Sequence, residues 1–208
     1  MINYFIKKED LLLWKSKEFF VNAFFSFSIF LFTLIINYYA VRIATHNSSS
    51  AVTDLILSSF KRIDTSIIHG TLSIFIEFLT LSILILKPRY FLFAFKSLAV
   101  LVVTRIIFIN LTNLGIPSES VPIKSFYTFG GDLFFSGHVA FMFLLALIFW
   151  KEIGLRWFYI VLTLTISVGV LLGHYHYSID VFAAPFIAYG IYSISKIIFR
   201  NDFNFLSK

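Results

Sequence analysis

Six stretches of this chain, near 19–41, 66–86, 90–112, 134–150, 157–173 and 179–198, are apolar runs with few charges. A bilayer crossing takes about 20 mostly apolar residues, and all six approach that length. The fourth and fifth are short and call for tilt or local thinning of the bilayer. Lipid offers the backbone no hydrogen-bond partner, so such runs fold as helices. A barrel would alternate apolar and polar residues, and Phe141-Met142-Phe143-Leu144-Leu145-Ala146-Leu147-Ile148 does not. Composition agrees: with 59% hydrophobic and 13% charged residues, and 28 Phe among 208, the apolar side chains exceed what a soluble core this small can hide. The expected fold is all-α, a polytopic membrane protein built as a six-transmembrane-helix bundle with a short interfacial amino-terminal helix.

Three parts are expected: an interfacial or cytoplasmic segment at 1–18, a six-helix membrane domain at 19–198 and a cytoplasmic tail at 199–208. Lys7, Lys8, Lys15 and Lys17 beside Ile2, Phe5, Leu12 and Trp14 fit a helix lying on the membrane, a solvated leader being the alternative. Lys7-Lys8-Glu9-Asp10 interrupts any signal-peptide core. The 17 Lys and Arg fall in ones and twos between apolar runs, so the net charge of +6 reads as topology signal and lipid contact, not nucleic-acid binding. Alternating crossings put Lys7, Lys8, Lys15, Lys17, Lys87, Arg89, Lys151, Arg156, Arg200 and Lys208 on one side, against Arg42, Lys61, Arg62 and Lys124 on the other. That asymmetry places both termini in the cytoplasm. With no cysteine, disulfides, Cys-ligated zinc and thiol catalysis are excluded.

Ionisable groups at membrane depth are costly and mark function. They are Glu77 in the second run, Arg105 in the third, His138 opening the fourth, and His174 to Asp180 opening the sixth. The 38 residues from His138 to His176 are about two antiparallel crossings, so the chain leaves one face and returns to it. Arg105, His138, His176 and Asp180 are therefore expected near the non-cytoplasmic face. Ser136-Gly137-His138 opens a helix, where backbone N–H groups attract phosphate. His176 and Asp180 are four apart, so one helical turn sets the carboxylate against one ring nitrogen and leaves the other as nucleophile or base. His138 can deliver a proton to a leaving oxygen, and Arg105 offers the bidentate cation that phosphate transfer needs. Asp132 can greet an amine or serve as a cap.

Each residue taken alone has a plainer reading. His138 would bond a neighbouring helix, and Arg105 would snorkel to the interface. Tyr175 and Tyr177 would join an aromatic belt, and His46 would be a loop residue. His69 and Glu77 would form a helix–helix hydrogen bond. His138, His174, His176 and Asp180 are acceptable zinc ligands, but no His-x-x-x-His or His-Glu pattern presents two from one helical face. No metal and no cofactor is expected.

The combined motifs resemble a known family. Phe135-Ser136-Gly137-His138 followed by His176-x-x-x-Asp180 is similar to two signature motifs of the type 2 phosphatidic acid phosphatase superfamily. More narrowly, Gly131-Asp132-Leu133-Phe134-Phe135-Ser136-Gly137-His138 and His176-Tyr177-Ser178-Ile179-Asp180-Val181 resemble the sphingomyelin synthase branch. Arg105, Thr112, Leu114 and Pro117 match the spacing of that branch's R-x6-T-x-L-x-x-P element, and His174 also has a counterpart there. Gly130 stands for the branch's Cys, Val139 for its Thr and Tyr175 for an acidic residue; these departures bear on headgroup and ceramide specificity. The chain reads as a minimal bacterial member, in the inner membrane with its site facing the periplasm.

The resemblance implies an enzyme in which His176, oriented by Asp180, attacks a phospholipid phosphorus. His138 acts as acid and then base, and Arg105, Ser136 and Gly137 hold the phosphate. Asp132, His174, Tyr177 and Glu77 would support them. The implied partners are a phospholipid donor such as phosphatidylcholine or phosphatidylethanolamine, a lipid alcohol (ceramide included) or water as acceptor, the bilayer and, as an open option, a second copy of the chain. A lipid phosphate phosphatase is the alternative within enzymes. Against it stands the absence of a K-x6-R-P motif, since Leu98 and Ile106 occupy its Lys and Pro positions. A non-catalytic lipid binder or transporter is the alternative of another class.

Overall fold

The computed structural model describes residues 8–117 and 133–207. Two short turns, α1 (Lys8–Leu11) and a 3-10 turn (Leu12–Lys15), precede the 30-residue α2 (Lys17–His46). A π-helical segment (Ile67–Leu72) runs into α3 (Ser73–Leu86). There follow α4 (Pro88–Leu111), α5 (Gly137–Ile148), α6 (Ile153–Leu172), α7 (Ser178–Ile198) and α8 (Arg200–Ser207). No strand occurs among the described residues. Start signals are local: Ser16 accepts from the Phe19 N–H ahead of α2, and Pro88 opens α4, where its missing N–H costs nothing.

Four helices, α2, α4, α6 and α7, are long and apolar enough to cross a membrane; Gly70–Leu86 and Gly137–Ile148 are apolar but shorter. The short elements are thus the second and fourth runs, not the fourth and fifth. The fifth gains length by starting at Ile153. The fourth is short because its run is spent on the non-helical approach through Phe135 and Ser136 and on the turn after Ile148.

The ends of these helices gather at two faces. At one, which we call the basic face, the Trp14 indole donates to the Ile85 carbonyl at 2.9 Å, and Lys87 meets Glu152 at 3.1 Å. Lys96 meets Asp202 at 2.6 Å. At the other, the histidine face, Ser49 N–H donates to Asn113 O at 3.1 Å, Ile63 N–H to Leu172 O at 2.8 Å and Ser136 N–H to Asp180 O at 3.1 Å. The six apolar helices run alternately between the two faces.

At the centre lies α5, packed on α4, α6 and α7, with Val139, Ala140, Met142, Leu144, Leu145 and Ala146 wholly buried. Large apolar side chains also point outward, among them Phe24, Phe25 and Phe32 of α2 and Phe182 and Phe186 of α7. Outward Phe on helices of spanning length is the surface of an integral membrane protein. The expected tail is a helix: α8 docks on α4, with the Phe203 ring 5.3 Å from that of Phe93 and Leu206 buried. Of the expected interfacial helix at 1–18, the described residues before α2 form two short turns, tied to the α3–α4 corner by Trp14.

Candidate active site

The turn between α6 and α7 is built by hydrogen bonds that reverse the chain within five residues. Gly173 N–H returns to Gly169 O at 3.0 Å, His174 N–H to Leu171 O at 3.0 Å and Tyr175 N–H to Val170 O at 3.0 Å. His174 takes the left-handed backbone conformation, φ 53°, which His tolerates better than bulky residues do. Its buried ring meets the edge of Phe60 at 5.4 Å between centroids.

At the start of α7, Asp180 is fully buried and its Oδ2 accepts from the Tyr177 N–H at 3.0 Å. The same oxygen lies 3.5 Å from Nδ1 of the buried His176. A carboxylate held by the backbone therefore faces one ring nitrogen, an arrangement able to leave the other, Nε2, for chemistry. Asp180 Oδ1 is buried with no hydrogen-bond partner among the described residues. The Ser136 N–H to Asp180 O bond joins this helix start to that of α5.

Ser136 caps α5, its buried hydroxyl also lacking a partner among the described residues. The N–H groups of Gly137, His138 and Val139 precede the first intrahelical donor, Ala140, whose N–H reaches Ser136 O at 3.1 Å. They form an anion-attracting end. Against it packs Arg105 of α4, buried: a Cβ added to Gly137 would stand 2.8 Å from the Arg105 Nε. A side chain there would displace the guanidinium. Arg105, Ser136, Gly137 and Asp180 are thus gathered at the histidine face, with His138 and His176 one and four positions from members of that group.

His138 Nε2 lies 4.0 Å from Oε1 of Glu77 on α3, both side chains partly exposed. Glu77 therefore pairs across helices with His138. The side chain of His69, which was expected to share a hydrogen bond with Glu77, lies outside the described residues. Asp132 lies outside the described residues. No three His, Asp or Glu side chains cluster as a metal site would need among the described residues.

Tyr177 is no belt residue. It is buried, its hydroxyl donating to Gly115 O at 2.7 Å and accepting from the Val52 N–H at 3.1 Å. Gly115 permits this closeness: a Cβ there would fall 2.2 Å from the Ser50 carbonyl carbon. Sequence reading passed over Asp54. Its Oδ1 accepts from Ile56 and Leu57 N–H at 2.9 and 3.0 Å, and its Oδ2 from the Ser178 N–H at 2.7 Å. Burial pushes the Asp54 carboxyl up, but the Leu57 and Ser178 donors outweigh it and hold the group below its usual range. The run Asp54-Leu55-Ile56-Leu57 carries a readable turn signal; the reach to Ser178 is not local.

Residues 130–197 match the family described as PAP2 superfamily C-terminal. No curated protein and no solved structure matches the chain. The match spans α5, α6 and nearly all of α7, so the elements carrying Ser136, Gly137, His138, His176 and Asp180 lie inside it. It supports the PAP2 superfamily and, with it, the lipid phosphatase and phosphotransferase class.

Proposed function

We propose that this protein moves the phospho-headgroup of a glycerophospholipid to a lipid alcohol or to water through a phosphohistidine on His176, as a sphingomyelin synthase-like enzyme. The reading is carried by one observation, the buried His176–Asp180 pair bonded through the backbone to the helix start that holds Ser136, Gly137 and Arg105. His176 Nε2 attacks phosphorus, the bond from phosphorus to the diacylglycerol oxygen breaks, and protonated His138 gives that oxygen its proton. An acceptor hydroxyl then attacks; His138 takes its proton and the nitrogen–phosphorus bond breaks. Arg105 and the N–H groups after Ser136 stabilise charge on the non-bridging oxygens, where electrostatic preorganisation contributes most. The excess of Lys and Arg about the basic face supports a cytoplasmic position for that face, with the site on the opposite side.

A second reading, favoured by the family match, is a phosphatase acting on phosphatidic acid or an isoprenoid pyrophosphate with the same nucleophile. Purified protein in phosphatidylcholine and phosphatidylethanolamine vesicles is expected to release diacylglycerol. His176→Ala should slow this at least about a hundredfold. Equal rates for the two proteins overturn the nucleophile assignment. Inorganic phosphate from phosphatidic acid, without diacylglycerol from intact phospholipid, selects the phosphatase reading.

A further inference from the structure

On the outward side of the bundle, α6 and α7 each pack on α5 but scarcely touch one another beyond the turn that joins them. The gap is a groove of about 350 Å³ lined by Phe143 of α5, Thr163, Ser167 and Leu171 of α6, and Val181 and Pro185 of α7. Thr163 and Val181 are buried at its floor, while Leu164, Val168 and Phe182 stand at its rim, each more than half exposed. Small side chains make the hollow. Those of Thr163 and Ser167 are already committed to their own helix, donating to Tyr159 O and Thr163 O at 2.7 Å each. What they leave on the wall is hydrocarbon.

The groove has a direction. Along α6 it extends from Ile160 to Leu171, about 16 Å at 1.5 Å per residue, against about 15 Å for the hydrocarbon of one leaflet. At its far end the Leu171 carbonyl accepts from the His174 N–H at 3.0 Å, and Val181 follows Asp180 directly. One end of the hollow, at Leu171 and Val181, therefore adjoins along the chain the turn and helix start that carry His174, His176 and Asp180, and the other lies at membrane depth among apolar side chains. That polarity matches a molecule with an anionic phosphate and a hydrocarbon tail about one leaflet long.

We infer that the α6–α7 groove seats one acyl chain of the lipid whose phosphate reacts at the histidine face. The inference rests on the proposed lipid-phosphate chemistry and adds where the tail lies. An acyl chain held there fixes the depth of the phosphate relative to His176, so tail length becomes a determinant of turnover.

The test uses the intact protein in phosphatidylcholine nanodiscs containing a phosphatidylcholine with a diazirine near the end of one acyl chain. Photolysis should label α6 and α7 around Ile160 and Pro185. Ser167→Trp, which fills the hollow, should cut this labelling about tenfold relative to that on the lipid-facing Phe24 and Phe25 of α2. Ser167→Leu, a milder filling, should cut it less, and Thr165→Trp, on the exposed face of the same helix, should leave it unchanged. Groove labelling that tracks α2 labelling in every variant overturns the inference. In turnover, Ser167→Trp should raise KM for a dioleoyl phospholipid about tenfold and leave a dihexanoyl one unaltered; equal loss on both overturns it as well. Labelling does not depend on turnover, so a wild-type protein inactive on every lipid defeats the functional reading while the labelling still decides the groove.

Discussion

At the basic face Lys87 meets Glu152 and Lys96 meets Asp202 with all four side chains partly open to solvent, and rings such as Phe149 and Tyr159, stacked 5.6 Å apart, fill the space between. At the histidine face the joining groups are sealed: Asp180, Ser136, His176 and Arg105 are buried, and Tyr177 and Asp54 tie three separate stretches of backbone together. The contrast is one of replaceability. A partly exposed ion pair contributes little and is easily substituted, whereas a buried polar group left without its partner costs the full desolvation penalty. Among the described residues, the buried ionisable groups Arg105, His174, His176 and Asp180 belong to the histidine face, and ionisable groups buried in an apolar bundle are costly.

The sharpest way to break the contrast is at Glu77. Its carboxylate faces His138 at 4.0 Å, so Glu77→Gln should lower kcat about tenfold while leaving KM and the thermal midpoint near wild type. A loss of stability without a loss of rate would make Glu77 structural. The next effect is at Asp54, which holds the start of α7. Asp54→Ala should cost about 1 kcal/mol of stability at neutral pH. The folded carboxyl lies below its ordinary value of 3.8. Its contribution is therefore complete above that value and is lost as pH falls through the lowered one. Denaturation of both proteins across pH should show the deficit shrinking only in acid; a constant deficit would assign it to packing. The smallest effect is at the basic face, where Lys96→Ala should cost under about 0.5 kcal/mol and leave turnover unchanged. A larger cost in a melting measurement would erase the difference between the two ends.

Much of the architecture was legible because run length and composition alone decide whether a segment prefers lipid. The run near 19–41 became α2, and the one near 179–198 became α7, with ends moved by a few residues. Arg105, His138, His176 and Asp180 were expected at one face by counting crossings; Arg105 packs against the start of α5 that carries His138, and the Ser136 N–H to Asp180 O bond joins that start to α7. For the tail the sequence reading gave a position and no structure; it is helical and docks on Phe93 and Lys96. Tyr177 was read as a belt residue since a tyrosine at a span's edge usually is one. Its burial depends on Gly115 and Ser50 approaching to backbone contact, which no local pattern announces.

By itself the sequence determined that the chain makes apolar helices alternating between two faces, and that a His-x-x-x-Asp turn and a Ser-Gly-His helix start share one of them. Those properties follow from composition, run length and helical spacing, all local. Only the tertiary structure decided that Glu77 faces His138 and that Asp54 caps a helix whose first N–H lies 124 positions away. It also decided that α6 and α7 part to leave a hollow lined by Phe143, Ser167 and Pro185. Such pairings depend on how each helix is rotated and what it packs against, and rotation is set by the fit of side chains between helices.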